Sequence, residues 1–171
     1  MRTLESNESR LILGWMRTSS AIARPAAAKP RTGLQVAALP FRMTETGVEV
    51  MLITSRRTRR WIVPKGWPEA GSEPSADAAR EAQEEAGVIG EIAGKPLGAF
   101  HYLKERKHGD GTNCRVNLFP LKVTRQRRTW PEKTAREAKW FAYAEAAALV
   151  AEPELKRLIL KFGAQHAAKA Y

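Results

Sequence analysis

A short stretch of predicted helix carries three glutamates within five residues. The helix begins at Pro74, since proline suits the first helical turn, and it ends before Gly87, since glycine suits the position just past a helix end. At about 100° per residue, Glu81, Glu84 and Glu85 fall within one narrow arc, and alanines occupy much of the remaining face. The chain must therefore fold so that this helix packs through alanine while three carboxylates converge beside it.

These three carboxylates repel one another. Like charges three or four residues apart on a helix cost roughly 0.2–0.5 kcal/mol per pair, and the macrodipole disfavours anions near a helix C-terminus. A Mg²⁺ ion offsets that cost, because it takes oxygen ligands and keeps other positions for water and phosphate oxygens. The three glutamates alone leave open the alternative of a solvated acidic helix face.

The apolar pattern predicts strands on both sides of this helix and two helices after the last strand. Residues 34–42 and 48–55 form a β-hairpin across a turn at 44–47. Further strands are expected at 61–63, 88–103, 113–123 and 138–142, with a polar loop over 104–112. The last helix begins at Pro153, and its core-facing stripe consists of Leu155, Leu158, Ile159 and Phe162. This order predicts a mixed β-sheet sandwiched by helices.

The length and charge of the chain indicate one domain that attracts anions. At 171 residues we expect one compact domain, assigned to residues 34–171, after a basic and weakly ordered arm at residues 1–33. Lysine and arginine outnumber aspartate and glutamate 29 to 18, a formal excess of +11. That excess favours a polyanionic partner without saying which one.

The sequence also predicts a soluble, cytoplasmic protein. The single cysteine, Cys114, excludes an internal disulfide and suits a reducing compartment as a buried apolar residue. No apolar run approaches the roughly 18 residues that cross a bilayer, so we expect no membrane partner. An organelle-targeting role for residues 9–33 is the alternative to the basic arm.

The segment from Gly66 to Val88 spaces glycine, arginine and glutamates in a specific way. It reads GWPEAGSEPSADAAREAQEEAGV. This resembles the Nudix box, which is glycine, five residues, glutamate, seven residues and then R-E-aliphatic-x-E-E-x-G-aliphatic. Two positions depart from that pattern. Ser72 stands where the first glutamate is expected, with Glu73 beside it as a substitute, and Ala82 stands at the aliphatic position.

The resemblance implies an αβα sandwich, an α/β (α+β) fold with a mixed sheet, and Mg²⁺-dependent hydrolysis of a phosphoanhydride, with Mn²⁺ as a substitute ion. By position, Glu84 and Glu85 match metal ligands, and Glu81 matches a ligand or the base that deprotonates water. Arg80 matches the arginine that orients a carboxylate, and the backbone carbonyl of Lys65 adds a metal ligand. A metal that lowers the pKa of bound water, beside a carboxylate that takes the proton, suits this chemistry independently. The spacing leaves open which glutamate is the base, and an extra carboxylate is expected from Glu132 or Glu137.

Three basic clusters outside the box predict a site for a densely phosphorylated anion, because arginine and lysine suit phosphate oxygens. The clusters are Arg56, Arg57, Arg59 and Arg60; Lys104, Arg106, Lys107 and His108; and Arg125, Arg127, Arg128, Lys133 and Arg136. Residues 60–64, 105–108 and 137–141 resemble the diphosphoinositol polyphosphate phosphohydrolase branch, which also cleaves diadenosine polyphosphates. That likeness implies phosphate contacts from Arg106, Lys107 and His108, and the expected substrate-binding set is completed by Arg56, Arg60, Lys65 and Gly66.

Three functional hypotheses remain. The first is metal-dependent hydrolysis of a small polyphosphate, either a diphosphoinositol polyphosphate or a dinucleoside polyphosphate. The second is a noncatalytic Nudix-fold module that binds RNA or polyphosphate, which the glutamate trio disfavours because a pure anion binder gains nothing from acids. The third is an RNA 5′-end pyrophosphohydrolase, in which the basic arm contributes phosphate contacts. The sequence leaves the oligomeric state and the number of metal ions open.

Overall fold

The protein is described here by a computed structural model over residues 31–104 and 111–167. Within these ranges it has eight strands and three helices. In chain order they are β1 (Arg31–Thr44), β2 (Gly47–Thr54), β3 (Trp61–Ile62), β4 (Lys65–Gly66), α1 (Pro74–Ala86), β5 (Val88–Ile92), β6 (Gly98–Lys104), β7 (Thr112–Gln126), β8 (Ala138–Ala142), α2 (Tyr143–Leu149) and α3 (Pro153–Ala167).

The strands form one mixed sheet with β1 and β7 at its centre. β1 pairs with β2 in an antiparallel hairpin that closes at Thr44 and Gly47. β1 also pairs with β7 in parallel, and Leu34 lies beside Arg115. Strands β3 and β8 add to β2, strands β5 and β6 add to β7, and β4 adds to β1. The predicted hairpin and the predicted mixed sheet are both confirmed.

Side chains alternate between two buried clusters, one on each face of the sheet. In β1, Val36 and Ala38 belong to one cluster, and Ala37 and Leu39 belong to the other. The first cluster includes the alanines of α1, which are Ala78, Ala82 and Ala86. The second includes the apolar residues of the last two helices, among them Ala146, Ala147, Leu155, Ile159 and Phe162. Because α1 covers one face and α2 and α3 cover the other, the fold is the expected αβα sandwich.

The element bounds match the sequence predictions for α1 and β8 and differ elsewhere, with β7 running over Thr112–Gln126 where 113–123 is predicted. β1 begins at Arg31, three residues before the predicted strand. β4 was not predicted, since its two residues become a strand only by pairing with β1. The predicted strand over 88–103 is divided into β5 and β6 around Gly94 and Pro96, which do not suit a continuous ladder.

The core otherwise follows the predicted pattern. On α3, Leu155, Ile159 and Phe162 are buried, and Leu158 packs against the same cluster from a half-buried position. Cys114 is fully buried, as predicted for a small apolar residue. Of the helices in the described ranges, none combines the length and the apolar character that crossing a membrane requires.

Candidate active site

Glu81 of α1 lies directly against the backbone of β4 at Gly66. The position of β4 is fixed by its pairing with β1, where Gly66 lies beside Val36. A methyl group added to Gly66 would overlap the carboxylate of Glu81. Only glycine therefore leaves room for this carboxylate to approach the strand so closely.

Glu85, one turn further along α1, is a buried carboxylate with two partners outside its helix. The backbone N–H of Lys65 donates to Glu85 Oε2 at 2.9 Å. The guanidinium of Arg136 donates to Glu85 Oε1, and each of these two side chains is only 8% exposed. Burial raises the pKa of Glu85 to about 7, while the charge of Arg136 and the N–H of Lys65 oppose that rise. Glu85 therefore changes its protonation close to neutral pH.

Arg80 forms ion pairs with the other two glutamates of the motif, Glu81 and Glu84. Its Nη1 lies 3.4 Å from Glu81 Oε1 and 3.4 Å from Glu84 Oε1. Burial raises the pKa of Glu81, Arg80 opposes the rise, and the nearby carboxylates of Glu84 and Glu132 add to it. The side chain of Glu81 is 14% exposed whereas that of Glu84 is 46% exposed. The predicted trio thus divides into two covered carboxylates and one exposed one.

Asp77, rather than Glu73, fixes the loop before α1. Ser72 Oγ donates to Asp77 Oδ1 at 3.0 Å, and the N–H of Glu69 donates to Asp77 Oδ2 at 3.0 Å. Arg80 Nη2 lies 3.4 Å from Asp77 Oδ1 and 3.5 Å from Glu69 Oε1. Against the effect of burial, these donors hold the pKa of Asp77 below its ordinary value. The expectation that Glu73 replaces the first motif glutamate is corrected, because the acids outside the glutamate trio that contact Arg80 are Asp77 and Glu69.

A cleft of about 910 Å³ opens in front of Glu81 and Glu85. Six of the predicted site residues line it, namely Arg56, Arg60, Lys65, Gly66, Glu81 and Glu85. Glu84 is not part of the lining. The remaining predicted contacts, Arg106, Lys107 and His108, lie outside the described residues. The cleft therefore brings acidic and basic members of the predicted site together.

The segment between β7 and β8 adds Glu132 and Arg136 to the cleft. Arg136 was assigned to a basic, substrate-facing cluster, but its guanidinium is bonded to Glu85, Glu132 and the carbonyl of Thr54. The signal available in the sequence was the four-residue spacing from Glu132 to Arg136. Of the two extra acids considered, Glu132 lines the cleft, whereas the backbone N–H of Glu137 donates to Thr54 Oγ1 at 3.0 Å.

The side chain of Lys65 lies on the floor between the acids and β6. Its ammonium is 4.7 Å from the centre of the Tyr102 ring. Burial lowers the pKa of Lys65, and the carboxylates of Glu85 and Glu152 oppose that change. Tyr102 Oη in turn donates to Gln35 Oε1 at 2.6 Å. Lys65 is thus a half-buried cation against an aromatic ring, and the charges of two acids act on its pKa.

The carboxylate oxygens of the site are ligands of the kind that a hard divalent cation binds. Over residues 31–104 and 111–167, no three acidic, histidine or cysteine side chains are already gathered as metal ligands. Guanidinium groups hold the carboxylates instead, with Arg80 on Glu81 and Arg136 on Glu85. However, carboxylate oxygens are the ligands that Mg²⁺ prefers, and the pKa of Glu81 is raised by burial and by neighbouring carboxylates, which a bound cation would counteract.

The fold and the cleft together define an αβα sandwich in which one helix presents carboxylates to a glycine-containing strand, with arginines around them. Residues 32–162 match the family described as NUDIX domain. The chain belongs to the Nudix family, as the resemblance of its glutamate motif indicated. Nudix hydrolases generally use a divalent metal ion.

Named relatives share this domain. The chain is 39% identical over 115 residues to "Diphosphoinositol polyphosphate phosphohydrolase 3-alpha" from Mus musculus, covering 66% of this chain and 65% of that protein. It is 31% identical over 118 residues to "Nudix hydrolase 12, mitochondrial" from Arabidopsis thaliana, covering 67% of this chain and 58% of that protein. The chain thus spans less than two thirds of the length of these relatives.

A solved structure supports the fold. The C. elegans Ap4A hydrolase, in a binary complex, superposes with a TM-score of 0.59 over 80% of this chain and 98% of that one. The two sequences are 22% identical. At that identity the likeness concerns the arrangement of strands and helices.

Proposed function

We propose that the protein is a Nudix pyrophosphohydrolase that cleaves a phosphoanhydride bond in a densely phosphorylated small molecule. The observation that carries this proposal is that Glu81, Glu85 and the arginines Arg56 and Arg60 line one cleft. The substrate is a diphosphoinositol polyphosphate, the class named for the mouse relative, or a dinucleoside polyphosphate, the class named for the C. elegans structure. Both classes combine a pyrophosphate linkage with several further phosphates.

The residues of the chain divide the work between binding and proton transfer. Arg56 and Arg60 are exposed at the cleft rim, where their planar groups suit phosphate oxygens. Glu81, with its raised pKa, accepts the proton of the attacking water. Arg80 fixes the orientation of Glu81 and Glu84 through its ion pairs.

The metal ion of this proposal is Mg²⁺, with Mn²⁺ as a substitute. It would be held by Glu81, Glu84, Glu85 and the backbone carbonyl of Lys65, which are oxygen donors on α1 and β4. When bound, it would neutralise charge on the phosphoryl group and lower the pKa of a bound water. The cytoplasmic location stays a prediction, and the A. thaliana relative carries a mitochondrial name.

The experiment is a substrate panel. Purified protein is incubated with a diphosphoinositol polyphosphate, diadenosine tetraphosphate, a 5′-triphosphorylated RNA and ATP, each with Mg²⁺, with Mn²⁺ and with chelator. We expect metal-dependent release of phosphate or nucleotide from at least one of the first two compounds, and none in chelator. Binding without turnover of any compound would instead support the noncatalytic module, and turnover confined to RNA would support the RNA-end enzyme.

A further inference from the structure

Two lysines of the cleft lining each lie against an aromatic ring. The ammonium of Lys65 is 4.7 Å from the centre of the Tyr102 ring, and the ammonium of Lys104 is 5.2 Å from the centre of the Trp67 ring. Lys65 belongs to β4 and Trp67 follows that strand, whereas Tyr102 and Lys104 belong to β6. Both lysines line the cleft. The two ammonium groups therefore reach the space between β4 and β6 from opposite sides.

Strand β1 fixes the position of both aromatic rings. Tyr102 Oη donates to Gln35 Oε1 of β1 at 2.6 Å. The Trp67 ring lies against Gly33 of β1, where an added methyl group would overlap the ring. Alternate residues of a strand project to one side, so Lys104 shares the face of β6 that carries Tyr102. The rings thus hold the lysines on one face of the sheet.

The two lysines converge without a bonded counter-ion. Neither ammonium forms an ion pair with an acid among the residues that the structure describes. Burial lowers the pKa of Lys65, and the positive charges of Arg136 and Lys104 lower it further, so the two lysines repel one another. The carboxylate of Glu85 opposes this change, but it is bonded to Arg136. An anion between the two ammonium groups would relieve their repulsion.

The arginines of the cleft occupy a different part of it. Arg56 and Arg60 lie in the loop between β2 and β3, whereas the two lysines lie on β4 and β6. In the sheet, β2 pairs with one edge of β1, and β6 lies beyond β7 on the other edge. The cleft therefore has two cationic regions, and a phosphate at the arginines leaves the lysines for a second phosphate.

The chemistry of the lysines suits a phosphate group. Each ammonium is a compact charge with donors only, and a phosphate has acceptors only. In the proposed function the pyrophosphate being cleaved lies at the glutamates, so a group at the lysines is a further phosphate of the same substrate. Diphosphoinositol polyphosphates and diadenosine tetraphosphate carry such a phosphate. ADP-ribose, in which a nucleoside diphosphate is joined to a neutral sugar, does not.

We propose that Lys65 and Lys104 form a subsite for a substrate phosphate outside the bond that is cleaved. This rests on the proposed function and narrows it to substrates with at least one phosphate beyond the scissile pyrophosphate. Tyr102 and Trp67 are positioning residues of the subsite, because they hold the two ammonium groups between β4 and β6.

The test measures equilibrium binding in chelator, so that it depends on neither turnover nor metal. Calorimetry gives dissociation constants for inositol hexakisphosphate and for diadenosine tetraphosphate with the parent protein, Lys65→Met, Lys104→Met and Lys104→Arg. The matched control is Lys139→Met. Lys139 is exposed, and its ammonium is 5.3 Å from the centre of the Phe141 ring, outside the cleft lining. Thermal unfolding of each variant checks that it is folded.

We expect Lys65→Met and Lys104→Met each to raise the dissociation constant about tenfold, the size of one hydrogen bond to a charged group. Lys104→Arg keeps the charge and should retain parental binding. Lys139→Met loses the same net charge far from the ligand and should change binding by less than about twofold.

The two ligands distinguish the source of the phosphate. Weaker binding of inositol hexakisphosphate alone assigns the subsite to a ring phosphate, and weaker binding of diadenosine tetraphosphate assigns it to a chain phosphate. Parental binding of both ligands in both methionine variants overturns the proposal and indicates that the ammonium groups only pack against the rings. An equal loss in Lys139→Met also overturns it, because the effect would then be one of net charge.

A second measurement uses the parent protein alone and so survives any folding defect of the variants. We expect diadenosine tetraphosphate to bind at least tenfold more tightly than ADP-ribose in chelator, and equal or tighter binding of ADP-ribose overturns the proposal. Metal-dependent turnover of a polyphosphate, together with parental binding in both methionine variants, would overturn the subsite and leave the pyrophosphohydrolase intact. Absence of all turnover and binding would overturn both.

Discussion

The buried guanidinium of Arg136 is bonded to the buried carboxylate of Glu85. Removing one partner of such a pair leaves the other charge without compensation, which costs about 3–5 kcal/mol. We therefore expect Arg136→Met to lower the free energy of unfolding by about that amount, as measured by urea denaturation in chelator at a pH above 7, where Glu85 is ionised. Arg115→Met, at an exposed position of β7, is the control and should change it by less than about 0.5 kcal/mol.

The double variant Arg136→Met with Glu85→Met separates pairing from packing. Because both charges are removed together, it should recover much of the loss seen in Arg136→Met. If the double variant is as unstable as the sum of the two single variants, the ion pair does not carry the effect.

The contact between Gly66 and Glu81 predicts a large loss of activity from a small substitution. In Gly66→Ala the added methyl group displaces the Glu81 carboxylate from β4. A misplacement of about 1 Å in an active site costs on the order of 10²-fold in rate, so we expect kcat to fall by about that factor. Gly94→Ala is the matched control, since an added methyl group meets nothing within 4 Å there. Equal kcat values for the two variants would contradict the assignment.

The proposed roles of Glu81 and Glu84 predict that removing either carboxylate lowers turnover. We expect Glu81→Gln and Glu84→Gln each to lower kcat by about 10²–10⁴-fold, because each loses a charge that the proposed metal site or base requires. Far-UV circular dichroism should be unchanged, since glutamine is an equally good helix former. Glu91→Gln, at an exposed position of β5, should retain parental kcat. Parental activity in Glu84→Gln would remove that exposed residue from the site.

The raised pKa of Glu85 predicts a pH-dependent stability with a defined sign. The ordinary pKa of 4.5 is raised to about 7 in the folded protein, so between these values the folded state holds a proton that the unfolded state has released. The free energy of unfolding in chelator should therefore fall as pH rises from 4.5 to 7. Glu85→Gln should flatten the profile in this window. A profile that rises through this window in the parent, and is unaffected in the variant, would show that Glu85 is already ionised at low pH.

The carboxyl group of Glu85 also links proton release to metal binding. A divalent cation binds the carboxylate form, so the affinity for Mn²⁺ should rise as pH increases toward 7 and level off above it. Calorimetric titration at several pH values measures this dependence directly. In Glu85→Gln the affinity should be lower and its pH dependence weaker. Identical profiles in the two proteins would exclude Glu85 as a ligand.

Local signals explain which parts of the fold could be predicted. The bounds of α1 follow from Pro74 and Gly87, which act within one turn of the helix, and the glutamate motif is contiguous. β4 could not be predicted in this way, because Lys65 and Gly66 form a strand only by pairing with Ala37 and Val36. Sequence periodicity does not report such distant pairings.

Contacts between residues far apart in sequence also limited the prediction of the candidate active site. Arg136 was grouped with basic residues because its neighbours in sequence are basic, yet its partner Glu85 is 51 residues away. Asp77 was overlooked for the opposite reason, since a helix with many charges gives no sign that one of them is buried. Its burial depends on Ser72 and Glu69, which fold back over the first turn of α1.

The parallel pairing of β1 with β7 affects how the chain reaches its native state. Leu34 and Arg115 are neighbours in the sheet although α1 and five strands, β2 to β6, lie between them in sequence. Contacts of such long range slow folding, because a large loop must close before they form. During synthesis, β1 therefore has an unpaired edge until β7 has left the ribosome. In this interval the edge of β1 can pair with another chain and lead to aggregation.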